Sequence, residues 1–268
     1  MTLPTLFIPH GGGPCFFMDG LGPEGSWDAM AAYLRGIADR LPERPRAILV
    51  ISGHWETDQP LVTSGATPTL IYDYYGFPPH TYELKYPAPG DPDLADRVRN
   101  LLREAGVDSG ADAARGFDHG VFIPFLLAFP SADIPVVQLS LLRNRDPEAH
   151  LRLGEALQPL RDEGVLIVGS GMSYHNMRGF FSPDPRHGAA SEQFDAWLTE
   201  AVTDPDTSRR RAALASWADA PAARAAHPEE EHLLPLMVAA GAAGTAPGRR
   251  SFSDNTVGVR LSGYEFGL

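Results

Sequence analysis

The sequence contains only one lysine, Lys85, and one cysteine, Cys15, among its 268 residues. A single cysteine excludes an internal disulfide and any metal site built from several thiolates. No apolar run approaches the roughly 18 residues that a membrane-spanning helix needs, and the start shows no basic region followed by an apolar one. We therefore expect a cytoplasmic protein with no membrane partner.

Basic residues are also fewer than acidic ones. The chain has 34 acidic and 22 basic residues, which gives a formal net charge of −12. Nucleic acids and anionic membranes need a basic surface, so neither is expected as a partner. Nothing in the sequence specifies an oligomeric state.

Apolar strands alternate with helical segments along the chain. Residues 5–8, 47–52, 134–139 and 165–168 are short apolar runs of the kind found in buried strands, and amphipathic segments such as 91–105 follow or precede them. This alternation predicts an α/β protein with a central, mostly parallel or mixed sheet flanked by helices. Because no low-complexity linker divides the chain, we expect one catalytic domain over residues 1–268.

Three of the predicted strands lead into a histidine. His10 follows LFIP, His54 follows ILVISG, and His175 follows LIVGSGMSY. Ligands of open α/β sheets bind beyond the carboxyl ends of the strands, and neighbouring parallel strands lie about 4.8 Å apart. One histidine in this position is usually an ordinary loop residue, but three in the same context predict a shared site for a divalent metal.

The segment HPEEEH supplies a fourth candidate. Pro228 suits the first turn of a helix, and residues 229–231 are glutamates that would interact favourably with the helix dipole. His227 would then lie outside this helix, whereas His232 would be carried on it and could face the cleft.

Two further histidines lie in loops. His119 follows Asp118 in GFDHG, where that carboxylate or the loop backbone could orient it as a base; a buried structural histidine is the competing interpretation. His80 lies in the aromatic, proline-rich segment 73–90, where it could line a substrate pocket or remain on the surface.

Several motifs together resemble a known family. They are PHGGGP, SGHWE, YDYYGFP, YPAPG, GFDHG, SGMSYHN and EEHLLPLMVAAGA, and they span residues 5 to about 265. Their order and spacing resemble the class III extradiol ring-cleavage dioxygenases. The likeness is greatest to the 4,5-DOPA dioxygenase branch, which is related to the catalytic subunit of protocatechuate 4,5-dioxygenase.

This resemblance implies a single-domain α/β enzyme that opens a catechol ring beside its diol with O2, using a non-haem metal that is normally Fe(II). It implies that His10, His54 and His232 are metal ligands. It further implies that His175 is an acid–base residue and a candidate fourth ligand, and that His119 hydrogen-bonds the substrate.

One position departs from the best-understood ring-cleaving relatives, which use two histidines and one carboxylate. Here the third ligand position is His232, as in the DOPA-type branch. A neutral third ligand raises the net charge of the site and also makes Zn(II) a plausible ion. The alternative is that Glu230 or Glu231 supplies a carboxylate to the metal.

Aromatic residues near these motifs are candidates for the substrate pocket. The predicted pocket residues are Trp55, Tyr74, Tyr75, Phe77 and His80. Two other functions remain open: a zinc-dependent hydrolase on the same scaffold, and a non-enzymatic interaction protein similar to the Memo proteins.

Overall fold

A single eight-stranded sheet forms the centre of the computed structural model, which describes residues 1–268. In chain order its strands are β1 Thr5–Pro9, β2 Ala47–Thr57, β3 Leu61–Thr63, β4 Gly110–Asp112, β5 Val136–Leu142, β6 Val165–Gly171, β7 Gly248–Thr256 and β8 Val259–Phe266. Their order across the sheet is β4-β3-β5-β2-β6-β1-β8-β7.

Four parallel strands occupy the middle of this sheet. β2 pairs in parallel with both β5 and β6, and β6 pairs in parallel with β1. The other strands flank them, and β3 and β8 run antiparallel to their central neighbours. The sheet is therefore mixed with a parallel centre, and the predicted fold class is confirmed.

Helices cover the sheet, and 70 buried residues form one hydrophobic core around it. The helices are α1 Asp28–Arg35, α2 Ile37–Arg40, α3 Pro92–Glu104, α4 His119–Ala128, α5 Pro147–Leu157, α6 Pro185–Thr203, α7 Thr207–Ala215, α8 Ala223–Ala226 and α9 Leu234–Ala242. None of them combines the length and apolarity needed to cross a bilayer.

Two predicted elements are wrong. The helix expected from Pro228 begins only at Leu234, and residues 227–233 are irregular and end in a turn at 231–233, so His232 precedes the helix instead of lying on it. Pro235 explains the late start, because a proline is favoured in the first turn, where its missing N–H costs nothing. β2 also continues past Ser52 to Thr57, so His54 lies within the strand.

Two glycines of β6 bring the turn before α9 onto the sheet. A Cβ at Gly171 would lie 2.1 Å from the carbonyl oxygen of His232, and one at Gly169 would lie 2.3 Å from that of Pro235. Only glycine permits this approach, because any side chain would collide with backbone atoms. The backbone N–H of Met172 donates to the His232 carbonyl (2.9 Å), which fixes His232 beside the end of β6.

Candidate metal centre

Three histidines that are distant in sequence meet at the carboxyl ends of the central strands. Nε2 of His54 lies 3.2 Å from Nε2 of His10 and 3.2 Å from Nε2 of His232. The three ligand atoms all lie within 4.8 Å of one another. The predicted convergence of His10, His54 and His232 is thus present in the structure.

Each of these histidines comes from a different local structure. His10 immediately follows β1, and His54 lies where the register of β2 against β5 shifts, between Ile51 and Glu56. Such a bulge turns the strand and redirects its side chains. His232 comes from the turn before α9.

Hydrogen bonds fix the orientation of two of the rings. Nδ1 of His10 donates to Oγ of Ser170 (3.1 Å), because that hydroxyl uses its own proton to donate to the carbonyl of Gly120. Nδ1 of His232 donates to Oε1 of Glu231 (3.0 Å). With the proton on Nδ1, each Nε2 presents a lone pair to the common point, which is the tautomer that a metal ligand requires.

The same three rings are held in the neutral form. Burial, followed by the neighbouring imidazoles, lowers the pKa of His10 and of His232 well below the usual value. Burial and the neighbouring His119 lower the pKa of His54 to about 4. Neutral imidazole is the form that binds metal ions.

The spacing of the donors suits a metal ion. Two imidazole nitrogens bound at about 2.0–2.1 Å, with angles between octahedral and tetrahedral, lie about 2.8–3.4 Å apart. The observed separations of 3.2 Å lie within that range. Without a proton between them, these lone pairs would repel one another, so a cation is the partner that the arrangement favours.

The carboxylate of Glu231 lies close to two histidines. Its Oε1 lies 3.0 Å from Nδ1 of His232 and 3.2 Å from Nδ1 of His175. Burial would raise the pKa of the Glu231 carboxyl, but His175, the backbone and Arg145 together lower it, so the group is ionised and accepts from Nδ1 of His232. Glu230 instead pairs with Arg224 at 2.7 Å. Neither glutamate reaches the three Nε2 atoms in this structure.

Asp73 orients His119. Its Oδ1 accepts from Nδ1 of His119 (2.8 Å) and from the backbone N–H of the same residue (2.9 Å), while Oδ2 lies 3.7 Å from Nδ1 of His54. Burial would raise the pKa of Asp73, but the hydrogen bond from His119 and the adjacent imidazoles lower it to about 2.

Asp118, one of the two partners expected for His119, makes no hydrogen bond to its ring, and neither does the loop backbone. Asp118 is fully buried and accepts from Ser52 (2.7 Å), Gln138 (2.6 Å) and Arg115 (3.1 Å). Asp118 therefore stabilises the strands beneath the site, and Asp73 is the carboxylate that orients His119.

Two carboxylates also form groups with the histidines that could hold a metal. His54, Asp73 and His119 make one such group, and His175, Glu231 and His232 make the other. In the first, Oδ1 of Asp73 accepts from Nδ1 of His119, and Oδ2 lies 3.7 Å from Nδ1 of His54. In the second, Oε1 of Glu231 accepts from Nδ1 of His232 and lies 3.2 Å from Nδ1 of His175. His10, His54 and His232 form the third group, in which three Nε2 atoms face one another.

A cavity of about 450 Å³ opens above these histidines. It is of the size that small-molecule ligands occupy. Its lining includes His10, His54, His119, His175 and His232, and three of the predicted pocket residues, Tyr74, Tyr75 and Phe77.

Trp55 and His80 were predicted to line the pocket, and they do not. Trp55 is buried, with the guanidinium of Arg115 4.5 Å from its ring centre. His80 is on the surface, and its Nε2 donates to the carbonyl of Phe17 (3.0 Å). Alternation along β2 explains Trp55, because successive side chains of a strand point to opposite faces.

Several site residues have no direct signal in the sequence. Asp73 lies within YDYYGFP and Ser170 within SGMSYHN, and a carboxylate within an aromatic motif is the signal that identifies Asp73. The additional lining residues come from three separate segments: Leu21, Trp27, Met172, Met177, Phe180 and Phe181.

Comparison with known families matches nearly the whole chain. The model that describes the catalytic LigB subunit of aromatic ring-opening dioxygenase matches residues 4–263.

Curated proteins of similar length are also close in sequence. A protein named 4,5-DOPA dioxygenase extradiol from Beta vulgaris is 42% identical over 90% of this chain and 87% of its own. Dioxygenase tasH from Hapsidospora irregularis is 40% identical over 98% of this chain and 85% of its own. A 4,5-DOPA dioxygenase extradiol from Escherichia coli K12 is 36% identical over 90% and 85%, respectively.

A solved structure has the same fold. The crystal structure of the uncharacterized protein JW3007 from Escherichia coli K12 superimposes with a TM-score of 0.75 and 30% sequence identity, and the match covers 99% of this chain and 100% of that one.

Proposed function

Because this chain belongs to the LigB family of aromatic ring-opening dioxygenases, we propose that it opens a catechol-type ring beside the diol with O2 and a non-haem Fe(II) ion. Family membership identifies the chain as an oxidoreductase, an extradiol ring-cleavage dioxygenase. The substrate class, the use of O2 and the ion are the proposal. The single observation that supports it best is the convergence of three Nε2 atoms at the floor of an aromatic cavity.

His10, His54 and His232 would hold the ion. Fe(II) would supply the redox chemistry with O2 that no side chain provides, whereas Zn(II) has none and would leave the enzyme inactive. Three protein ligands leave further coordination positions open, as in catalytic rather than structural sites.

His175 is the proposed acid–base residue. Its Nδ1 lies 3.2 Å from the carboxylate of Glu231, which favours a proton on Nδ1 and leaves Nε2 as the proton acceptor, and the ring lines the cavity. From there His175 would take a proton from a substrate hydroxyl and return it later in the reaction. Its ring stacks on His232, with centroids 3.3 Å apart, so the base is held directly beside a ligand of the ion.

His119 is proposed to hydrogen-bond the substrate. Asp73 is ionised and can only accept, so Nδ1 of His119 carries a proton and Nε2 can accept one from a hydroxyl of the bound diol. The ring lies 4.0 Å from that of His54, centroid to centroid, which places it at the edge of the metal centre.

Tyr74 and Phe77 are proposed to form an aromatic wall for the ring of the substrate. Their rings meet edge to face, with centroids 5.6 Å apart, and the Tyr74 hydroxyl donates to the carbonyl of Thr81 (2.6 Å). A wall fixed in this way restricts the ring of the substrate to one plane and excludes water from it.

Reconstitution tests the proposal. The protein is loaded with Fe(II) without oxygen, mixed with 4-methylcatechol and then exposed to O2. Stoichiometric oxygen uptake with a yellow ring-opened semialdehyde is expected, and a Zn(II)-loaded sample should show neither. Hydrolysis of an ester or amide by the Zn(II) sample, with no oxygen uptake by the Fe(II) sample, would instead support the hydrolase alternative.

A further inference from the structure

Histidine is the only titratable residue type with a pKa near neutrality in the wall of the cavity above the metal centre. Its lining contains no lysine, arginine, aspartate or glutamate. Besides the five histidines, the wall consists of three glycines and nine apolar or aromatic residues.

The mouth of the cavity is apolar as well. Tyr75, Met177 and Phe181 all line it and are 91%, 69% and 48% exposed. The only other exposed large hydrophobic residues of the chain are its termini, Met1 and Leu268. Exposed apolar side chains that cluster at one opening mark a ligand-binding surface.

A negatively charged substituent would find no partner in this wall. Moving a carboxylate from water to an apolar surface without a compensating cation is unfavourable. The net charge of −12 also repels anions on approach. Arg178 is adjacent to Met177 in sequence, but it is exposed and does not line the cavity.

We propose that the cavity selects catechols whose ring substituent is uncharged and apolar, and discriminates against catechols with a carboxylate on the ring. This inference rests on the proposed ring-opening function, since it concerns the substrate of the same site. It assigns substrate selection to the rim residues Tyr75, Met177 and Phe181, which the sequence motifs do not single out together.

Binding can be measured without turnover by titration calorimetry of the Zn(II)-loaded protein. The ligands are 3,4-dihydroxybenzoate, its primary amide and its methyl ester, which share the diol and differ in charge and polarity. We expect the acid to bind at least tenfold more weakly than the amide, and the ester to bind at least as tightly as the amide. Equal dissociation constants for acid and amide would overturn the inference, whereas the absence of ring opening by the Fe(II) enzyme would count against the proposed function alone.

Rim variants test where the discrimination arises. Met177→Arg places a cation at the mouth and should reduce the acid-to-amide ratio of dissociation constants at least threefold, while the matched Met177→Gln should leave that ratio unchanged. If Met177→Arg does not change the ratio, the rim does not contact the substituent and the assignment is overturned. A ratio that rises in Arg178→Gln would also overturn it, because that arginine would then be accommodating the carboxylate.

Discussion

His175 and His232 lie face to face, with ring centroids 3.3 Å apart and planes inclined by 16°, and Nδ1 of each faces Oε1 of Glu231. A proposed metal ligand and the proposed acid–base residue thus share one carboxylate oxygen. Any change in that carboxylate should therefore affect metal binding and proton transfer together.

Glu231→Gln should lower both metal affinity and turnover by about 10- to 100-fold, because a neutral amide places no negative charge beside the Nδ1 atoms of the two imidazoles. Chelator competition measures the metal dissociation constant, and oxygen uptake measures turnover. Glu230→Gln is the matched control, since Glu230 pairs with Arg224 and does not contact these histidines. Equal effects of the two variants would contradict the assignment.

Alanine substitutions of the two stacked histidines, His175 and His232, should have different effects. His232→Ala removes one of three converging nitrogens and should abolish stoichiometric metal binding. His175→Ala should retain the metal and lose about 10²- to 10⁴-fold in turnover, the usual contribution of a general acid–base group. Metal content by atomic absorption and rates by oxygen uptake distinguish them. If His232→Ala retained one tightly bound ion, the proposed ligand set would be wrong.

Asp73 and Asp118 both lie near His119, but their substitution should have different effects. Asp73→Asn should lower turnover about tenfold or more with little change in stability, because its side chain is partly exposed and orients His119. Asp118→Ala should cost about 3 kcal/mol of unfolding free energy, since it leaves buried donors and the Arg115 cation without their acceptor.

Urea denaturation and steady-state kinetics of both aspartate variants test this contrast. A large loss of stability in Asp73→Asn, with turnover preserved, would show that Asp73 is structural.

His227 should make the protein sensitive to acid. Burial lowers its pKa to about 3, while the unfolded chain has the ordinary value near 6.5. The unfolded state therefore binds a proton that the folded state does not, and stability falls as the pH drops below about 6.5. The expected slope is about 1.4 kcal/mol per pH unit for this one group. Urea denaturation at pH 7, 6 and 5 measures it, and His227→Gln should reduce the slope by that amount.

Some histidines of this site can be predicted from the sequence, and others cannot. The positions of His10 and His175 were predictable, because each follows a buried apolar run whose strands are neighbours in the sheet. The apolar run predicts that His54 lies beyond the end of its strand. The bulge that redirects this residue cannot be recognised in a continuous apolar pattern.

His232 was expected on a helix because Pro228 and three glutamates fit a first turn. The actual start is set by Pro235, and the position of His232 depends on Gly169 and Gly171 of a strand more than 60 residues earlier. Contacts of that kind, like the one between Asp73 and His119, depend on tertiary packing and have no local sequence pattern.

The location of the ion tests the central claim most directly. A crystal of the metal-loaded protein, measured at the absorption edge of the bound metal, should show one anomalous peak per chain, about 2.1 Å from Nε2 of each of His10, His54 and His232. A peak among His54, Asp73 and His119 instead, or no peak in a stoichiometrically loaded crystal, would contradict the account.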